Sequence, residues 1–362
     1  MDVPLRTVLR EWGRIGCIGF GGPPTHIALL RDLCVRRRKW LAADDFEDAI
    51  AACNILPGPA STQLAIYCAW RVRGRVGALV GGVAFIVPGL ALIIALAAVF
   101  LEASPPRWIL GAGAGAGAAV AAVAVRAGAG LVPASWARSV SRLRWVVYLV
   151  LGAAAAALAG PWVVLVLIAC GAIELLLPWR TSAAMGLGGL IWVAFKVGAL
   201  SYGGGFVIVP LMQADAVTNY HWMTSAQFLN AVALGQVTPG PVVQTVAVVG
   251  YAARGIGGAL LAAPIAFTPS FVFVLAGGPR FDRIRGNAKA RAFLDGAGPA
   301  AIGAILGVAI PLARALHQPW QLGFLAAAAV ALFLLRRGIV ETLLLAGAAG
   351  IIAAVAGAPL PH

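Results

Sequence analysis

Asn54-Ile55-Leu56-Pro57-Gly58-Pro59-Ala60-Ser61-Thr62-Gln63 sets a Pro-Gly-Pro break inside an otherwise apolar, helix-like run. The pattern returns once, as Gln236-Val237-Thr238-Pro239-Gly240-Pro241-Val242-Val243-Gln244-Thr245, with Pro57 and Pro239 182 positions apart. Proline removes a backbone donor and clashes with the preceding turn, and glycine admits angles that other residues resist. A helix must therefore come apart at Pro57 and Pro59, and again at Pro239 and Pro241.

The solvent around these breaks follows from composition. Of 362 residues, 61% are apolar and 11% charged, and the mean hydropathy is +0.92. That excludes an ordinary soluble domain and predicts an integral membrane protein whose constant partner is the lipid bilayer. Apolar runs recur at 12–30, 47–70, 76–101, 108–132, 143–160, 161–177, 186–211, 225–250, 256–277, 293–313, 318–335 and 338–356. Each is close to the roughly 20 residues that a helix needs to cross the hydrocarbon. The net charge of +14 sits at the ends of these runs, as the positive-inside rule of a bacterial inner membrane requires, so nucleic acid is not a partner. Cys17, Cys34, Cys53, Cys68 and Cys170 lack Cys-x-x-Cys spacing and read as small buried hydrophobes; no metal site and no cofactor are expected. No cleavage site follows the first apolar run, so no removable signal peptide is expected.

A second kind of break opens the chain. Gly16-Cys17-Ile18-Gly19-Phe20-Gly21-Gly22-Pro23-Pro24-Thr25-His26 cannot hold a regular helix in lipid unless protein or water covers the freed backbone groups. A charged stretch from Arg31 to Asp48 follows, and the Gly/Ala alternation from Gly111 to Gly130, which carries Arg126, lets its helix approach neighbours closely.

The second half repeats the first. At a spacing of 182, Gly16, Gly21, Gly22, Trp40, Phe46, Pro57, Gly58 and Pro59 fall on Gly198, Gly203, Gly204, Trp222, Phe228, Pro239, Gly240 and Pro241; at 181, Arg73, Gly74 and Pro88 fall on Arg254, Gly255 and Pro269. Matching connectors carry opposite charge: Arg31 to Asp45 is basic where Met212 to Thr224 has no Lys or Arg, and Pro279 to Ala292 is basic where Glu102 to Arg107 has one Arg. The expected fold is an all-α polytopic membrane protein of two inverted-topology repeats, residues 1–178 and 179–362. Each has about six helical segments, broken or re-entrant at the Gly-rich and Pro-Gly-Pro motifs. Inversion needs an odd number of crossings per half, so at least one broken segment must turn back, and the Pro-Gly-Pro segment, basic on both sides, is the candidate. That choice alone leaves Arg6, Arg10 and Arg14 on the wrong side.

Gly19-Phe20-Gly21-Gly22-Pro23 with His26-Ile27-Ala28-Leu29, then Leu56-Pro57-Gly58-Pro59-Ala60-Ser61-Thr62-Gln63-Leu64-Ala65, then Gly235-Gln236-Val237-Thr238-Pro239-Gly240-Pro241 together resemble the chromate ion transporter family in its long, two-domain form. The resemblance covers nearly the whole chain. It implies export of chromate across the bacterial inner membrane, with sulfate as the similar oxyanion. Cys68-Ala69-Trp70 departs from the Gly-aromatic pair expected there, which the second copy keeps as Gly250-Tyr251.

The residues point to an anion independently. A dianion in a low-dielectric site carries a large desolvation cost. Each helix amino end offers unpaired donors and about half a positive charge, so four converging half-helices would supply about two. The candidate contacts are Gly21, Gly22, His26, Asn54, Gly58, Ser61, Thr62 and Gln63 in one copy. In the other they are Lys196, Ser201, Tyr202, Gly203, Gly204, Gln236, Thr238, Gly240, Gln244 and Thr245, with Arg126 as a further charge partner. The bland readings stay open: Ser and Thr can patch backbone groups freed by proline, the glycines can serve helix packing, His26 can bond to backbone, and Lys196 and Arg126 can reach an interface. Glu174 and Glu341 are the most embedded carboxylates, both near segment ends, which favours a simple interfacial position, and no buried carboxylate pair is evident for cation coupling.

No phosphate-binding loop or catalytic constellation occurs, which argues against an ATP-driven pump and against an enzyme. A secondary transporter driven by membrane potential or proton motive force is expected. A carrier of sulfate or another oxyanion and an anion channel with re-entrant half-helices are the alternatives, and a second copy of the chain is an open partner.

Overall fold

The computed structural model describes residues 3–20, 22–55, 58–101, 105–139, 141–159, 163–175, 187–199, 208–277 and 288–360. All regular structure among them is helical. The first half comprises α1 (Leu5–Ile18), α2 (Pro23–Arg31), α3 (Ala43–Ile55), α4 (Ala60–Phe100), α5 (Arg107–Arg138), α6 (Arg142–Ala154) and α7 (Val163–Leu175). The second comprises α8 (Leu187–Ala199), α9 (Ile208–Gln213), α10 (Ser225–Val237), α11 (Thr245–Gly277), α12 (Ala288–Gly307), α13 (Ala309–Arg314), α14 (Pro319–Ala329) and α15 (Ile339–Val355). Ala60–Phe100, Arg107–Ala137, Val242–Ala276 and Gly296–Arg314 are long and apolar enough to cross a membrane. Large apolar side chains such as Leu143, Leu158, Leu334 and Val355 face outward, as lipid contact demands.

The runs at 12–30 and 47–70 are pairs of short helices. The chain opens between α1 and α2, and again between α3 and α4, where Gly58 takes φ 120°. α4 then bends at Arg73 (φ −145°, ψ 25°) and Gly74 (φ 64°, ψ −157°). Its portion before that bend, about 13 residues, rises roughly 20 Å, which is too little to cross about 30 Å of hydrocarbon. Asp45 at the start of α3 pairs with Arg71 at the end of that portion (3.1 Å), so α3 and the first part of α4 run back on each other. Glu11 of α1 pairs with Arg38 beyond α2 (2.6 Å), and Trp12 stacks on Trp40 at 6.1 Å. α1 and α2 are thereby folded together too. These two pairs link α1 to the basic stretch after α2, and α3 to the Arg71 end of the first part of α4.

The second half repeats these conformations. Gly240 takes φ 103°, Arg254 and Gly255 bend α11 with φ/ψ of −151°/29° and 60°/−151°, and Lys39 and His221 both take φ 50°. A π-helical turn follows α2 at Asp32–Arg37 and α9 at Ala214–Asn219. The closing bonds match as well: Trp40 N donates to Cys34 O at 2.7 Å and Trp222 N to Ala216 O at 2.8 Å. The halves cross where α4 packs on α11, and α5 packs on α14 and α15. The Gly/Ala run works as its composition predicts. Backbone atoms of Gly350 come close enough to Gly111 and Gly115 that a side chain at either glycine would collide with them.

Candidate functional site

Three of the breaks meet in one hydrogen-bonded cluster. The Gly19 carbonyl, freed at the end of α1, accepts from His26 Nε2 at 2.9 Å and from the Gly240 amide at 3.0 Å. A carbonyl only accepts, so Nε2 carries the proton, and in the neutral ring Nδ1 accepts from the Ser61 hydroxyl at 3.2 Å. Phe85 presents its ring edge-on to the imidazole at 5.0 Å. His26 lies in the first turns of α2 and Ser61 in the first turn of α4. One imidazole therefore ties together two helix amino ends, and the Gly19 carbonyl ties both to the Pro-Gly-Pro break of the other copy.

The breaks also exchange partners between halves. Gly58 lies against α11: a methyl group on it would stand 2.5 Å from Gln63 Nε2 and 3.2 Å from Ser270 Oγ. Gly240 lies against α4, where the Pro239 carbonyl rests on Gly89 and Gln244 Nε2 donates to Ile86 O at 2.8 Å. Gly89 and Ser270 follow the equivalent prolines Pro88 and Pro269. Such reciprocity, in which each half's break meets the same point on the other half's long helix, is what a two-fold relation between similar units produces.

The candidate side chains divide by what they already bind. Thr238 Oγ1 donates to Leu234 O at 2.9 Å and Thr245 Oγ1 to Val242 O at 2.8 Å, so both hydroxyls are committed to carbonyls three or four residues back. Thr62 Oγ1, Gln236 Nε2, Gln244 Oε1 and Ser270 Oγ are buried without a partner. Gly22 opens α2 at φ 75°. Asn54 ends α3 with its side chain outside the described residues, as are Gly21, Pro57, Ser201, Tyr202, Gly203 and Gly204. Arg126 is exposed on α5.

Lys196 is held in a pair of its own. Its ammonium donates to Asp215 Oδ2 at 2.6 Å and lies 5.9 Å from the Trp192 ring, while Asn219 Nδ2 donates to Asp215 Oδ1 at 3.0 Å. The first half clasps the equivalent elements with acid and base exchanged, Glu11 on α1 and Arg38 after the π turn. The expectation that Glu341 is among the deepest carboxylates needs correction. Asp215 and Glu11 are the buried carboxylates among the described residues, at 4% and 7% exposure, and Glu341 is exposed and paired with Arg337 at 2.9 Å. The side chain of Glu174 is outside the described residues. Asp215 escaped notice because it sits in a π-helical turn, where helical spacing does not predict which face it takes. Ser270 gave one faint signal, a hydroxyl following a proline in a span whose counterpart has glycine.

The chain matches the family model described as chromate transporter over residues 6–175 and 188–354. It belongs to the chromate transporter family. A chromate transport protein of Cupriavidus metallidurans is 33% identical over 369 residues, covering 95% of this chain and 92% of that protein. A chromate transport protein of Pseudomonas aeruginosa is 28% identical over 341 residues, covering 83% and 79%. No solved structure matches. In this member of the chromate transporter family, the paired breaks that carry the sequence resemblance are the ones gathered around Gly19, Gly240 and His26.

Proposed function

We propose that this chain is a secondary transporter that carries chromate, with sulfate as the chemically similar anion, outward across a bacterial inner membrane. Its halves, residues 1–178 and 179–362, are inverted copies, and the first Pro-Gly-Pro hairpin is re-entrant. The reading is carried by one observation: in a chain of the chromate transporter family, helix amino ends from both halves are joined through the Gly19 carbonyl. Those ends supply partial positive charge and amide donors, and buried Thr62, Gln236 and Gln244 add neutral polar atoms beside them. Re-entrance is supported by the Asp45 to Arg71 pair, which closes a hairpin too short to span. Inversion is supported by opposite charge on matching connectors and by the reciprocal contacts of the breaks.

Magnitude favours the outward direction. One charge crossing 100 mV is worth about 2.3 kcal/mol, so a dianion leaving an inside-negative cell gains roughly 4.6 kcal/mol. At about 1.4 kcal/mol per decade this sustains a gradient of more than a thousandfold. Export needs no coupled cation, and buried Asp215 is engaged by Lys196 and Asn219.

Chromate and sulfate uptake into inverted vesicles, with and without an imposed inside-positive potential, tests the reading. Saturable accumulation above the outside concentration is expected with the potential and not without it. Gln236→Ala is expected to cut the initial rate about tenfold, since a hydrogen bond to a charged group is worth about 1.5 kcal/mol. Flux that never exceeds equilibrium would make the protein a channel, and no flux of either anion would end the assignment.

A further inference from the structure

We propose that Ser270, with Thr62, donates directly to the carried oxyanion, and that the anion is held off the two-fold relation, at the first Pro-Gly-Pro break. The proposal rests on the transport reading above and deepens it by assigning the contact. Among the described residues the buried hydroxyls are nearly all committed. Ser61 pairs with His26, Ser135 with Trp145, and Thr238, Thr245 and Thr342 with carbonyls three or four residues back. Only Thr62 and Ser270 are fully buried, at 0% exposure each, with no partner.

That state is not forced by the helix. A serine or threonine in a helix ordinarily relieves its hydroxyl by bonding to the carbonyl four residues back. Thr268, two residues before Ser270 on the same helix and exposed, does so, donating to Pro264 O at 2.8 Å. Ser270 forgoes that bond where burial makes the omission costly, about 1 to 3 kcal/mol for an unmet polar group. Its oxygen lies 3.2 Å from the point a methyl on Gly58 would occupy, at the break whose far side begins α4, and Thr62 stands in the first turn of that helix. Two unmet hydroxyls and a helix amino end, drawn from both halves, are the donor set a tetrahedral oxyanion accepts from.

The equivalent place on the other side is built differently. Gly89 replaces Ser270, and the Pro239 carbonyl packs onto it so closely that no side chain fits. A carbonyl facing an anion repels it, so the second location is closed both sterically and electrostatically. The near-symmetry of the two breaks ends where Ser270 stands opposite Gly89 and Thr62 opposite Gln244, and the two unmet hydroxyls select a single binding position.

The test is chromate uptake by inverted vesicles carrying wild type, Ser270→Ala, Ser270→Thr and Thr62→Val, with melting temperature measured on the same purified proteins. Ser270→Ala and Thr62→Val are expected to raise the KM for chromate about tenfold each while leaving the melting temperature unchanged or higher, because removing an unmet buried hydroxyl relieves the fold. Ser270→Thr, which keeps the hydroxyl, is expected to stay within about threefold of wild type. A KM within twofold of wild type in both hydroxyl-deleted variants, or a fall in maximal rate alone, overturns the assignment while leaving the transport reading intact. A wild type that moves neither chromate nor sulfate removes the transport reading and this contact with it.

Discussion

Lys196→Met is expected to destabilise the protein by about 3 to 5 kcal/mol, the largest effect of any charge removal among the described residues, because it strands the Asp215 carboxylate at 4% exposure beside Asn219. Asp215→Leu is expected to cost a similar amount by stranding the ammonium. The two together should recover most of the loss, since a buried ion pair often contributes little more than an apolar pair of similar volume. Thermal unfolding of the three variants in detergent reads the result directly. The equivalent clasp in the first half is more open: the Arg38 side chain is 46% exposed, so water can reach the Glu11 carboxylate that Arg38→Met leaves behind, and a smaller cost of about 1 to 3 kcal/mol is expected. The double variant also separates two roles for Lys196. If it is stable and still carries chromate, the charge serves the fold; if it is stable and inactive, the charge serves the anion.

Gly89→Val is expected to cost about 3 kcal/mol and to abolish transport. Gly89 has ordinary helical geometry, so backbone strain is not the reason. The obstacle is the Pro239 carbonyl, which cannot withdraw because the next amide, Gly240, is fastened to Gly19 O at 3.0 Å. Overpacking against mobile side chains costs about 1 to 3 kcal/mol, and a pinned backbone puts this site at the upper end. Gly74→Ala supplies the contrast. Its φ of 64° disfavours any side chain, but nothing lies within 4 Å, so about 1 kcal/mol of strain is all that is expected. The comparison, by melting temperature and flux in parallel, distinguishes a glycine kept for conformation from one kept for the junction between halves.

Much of this architecture was legible in the sequence because its decisive residues are conformational specialists. Pro57, Gly58, Pro59 and their counterparts announce that helices end, and Gly74 and Gly255 fall in register because the same bend is made twice. The Gly111 to Gly130 run announced a close helix contact for the same reason: its small side chains leave backbone exposed. What could not be read was which elements meet. Glu11 reaches Arg38 and Lys196 reaches Asp215 at π-helical turns whose spacing departs from 3.6, and Arg71 reaches Asp45 across the Pro-Gly-Pro break, so no periodicity marks them. Lys196 and Arg126 looked alike as cations in apolar runs, and only packing separates them: one is paired inside, the other exposed. The hydroxyls tell the same story. Thr238, Thr245 and Thr62 are interchangeable in a sequence, and it takes neighbouring carbonyls to commit two of them and leave the third unmet.

The central claim, that like elements of the two halves face opposite sides of the membrane with their breaks meeting between, is tested most directly by labelling. Arg36 and Thr218 occupy equivalent exposed positions, 182 apart, in the two π-helical turns. Each is replaced by cysteine in a Cys17→Ser background, which leaves the other native thiols buried. With a membrane-impermeant maleimide, the cysteine at 218 should label in intact spheroplasts and the one at 36 only in inverted vesicles. Labelling of both from the same side would contradict the account.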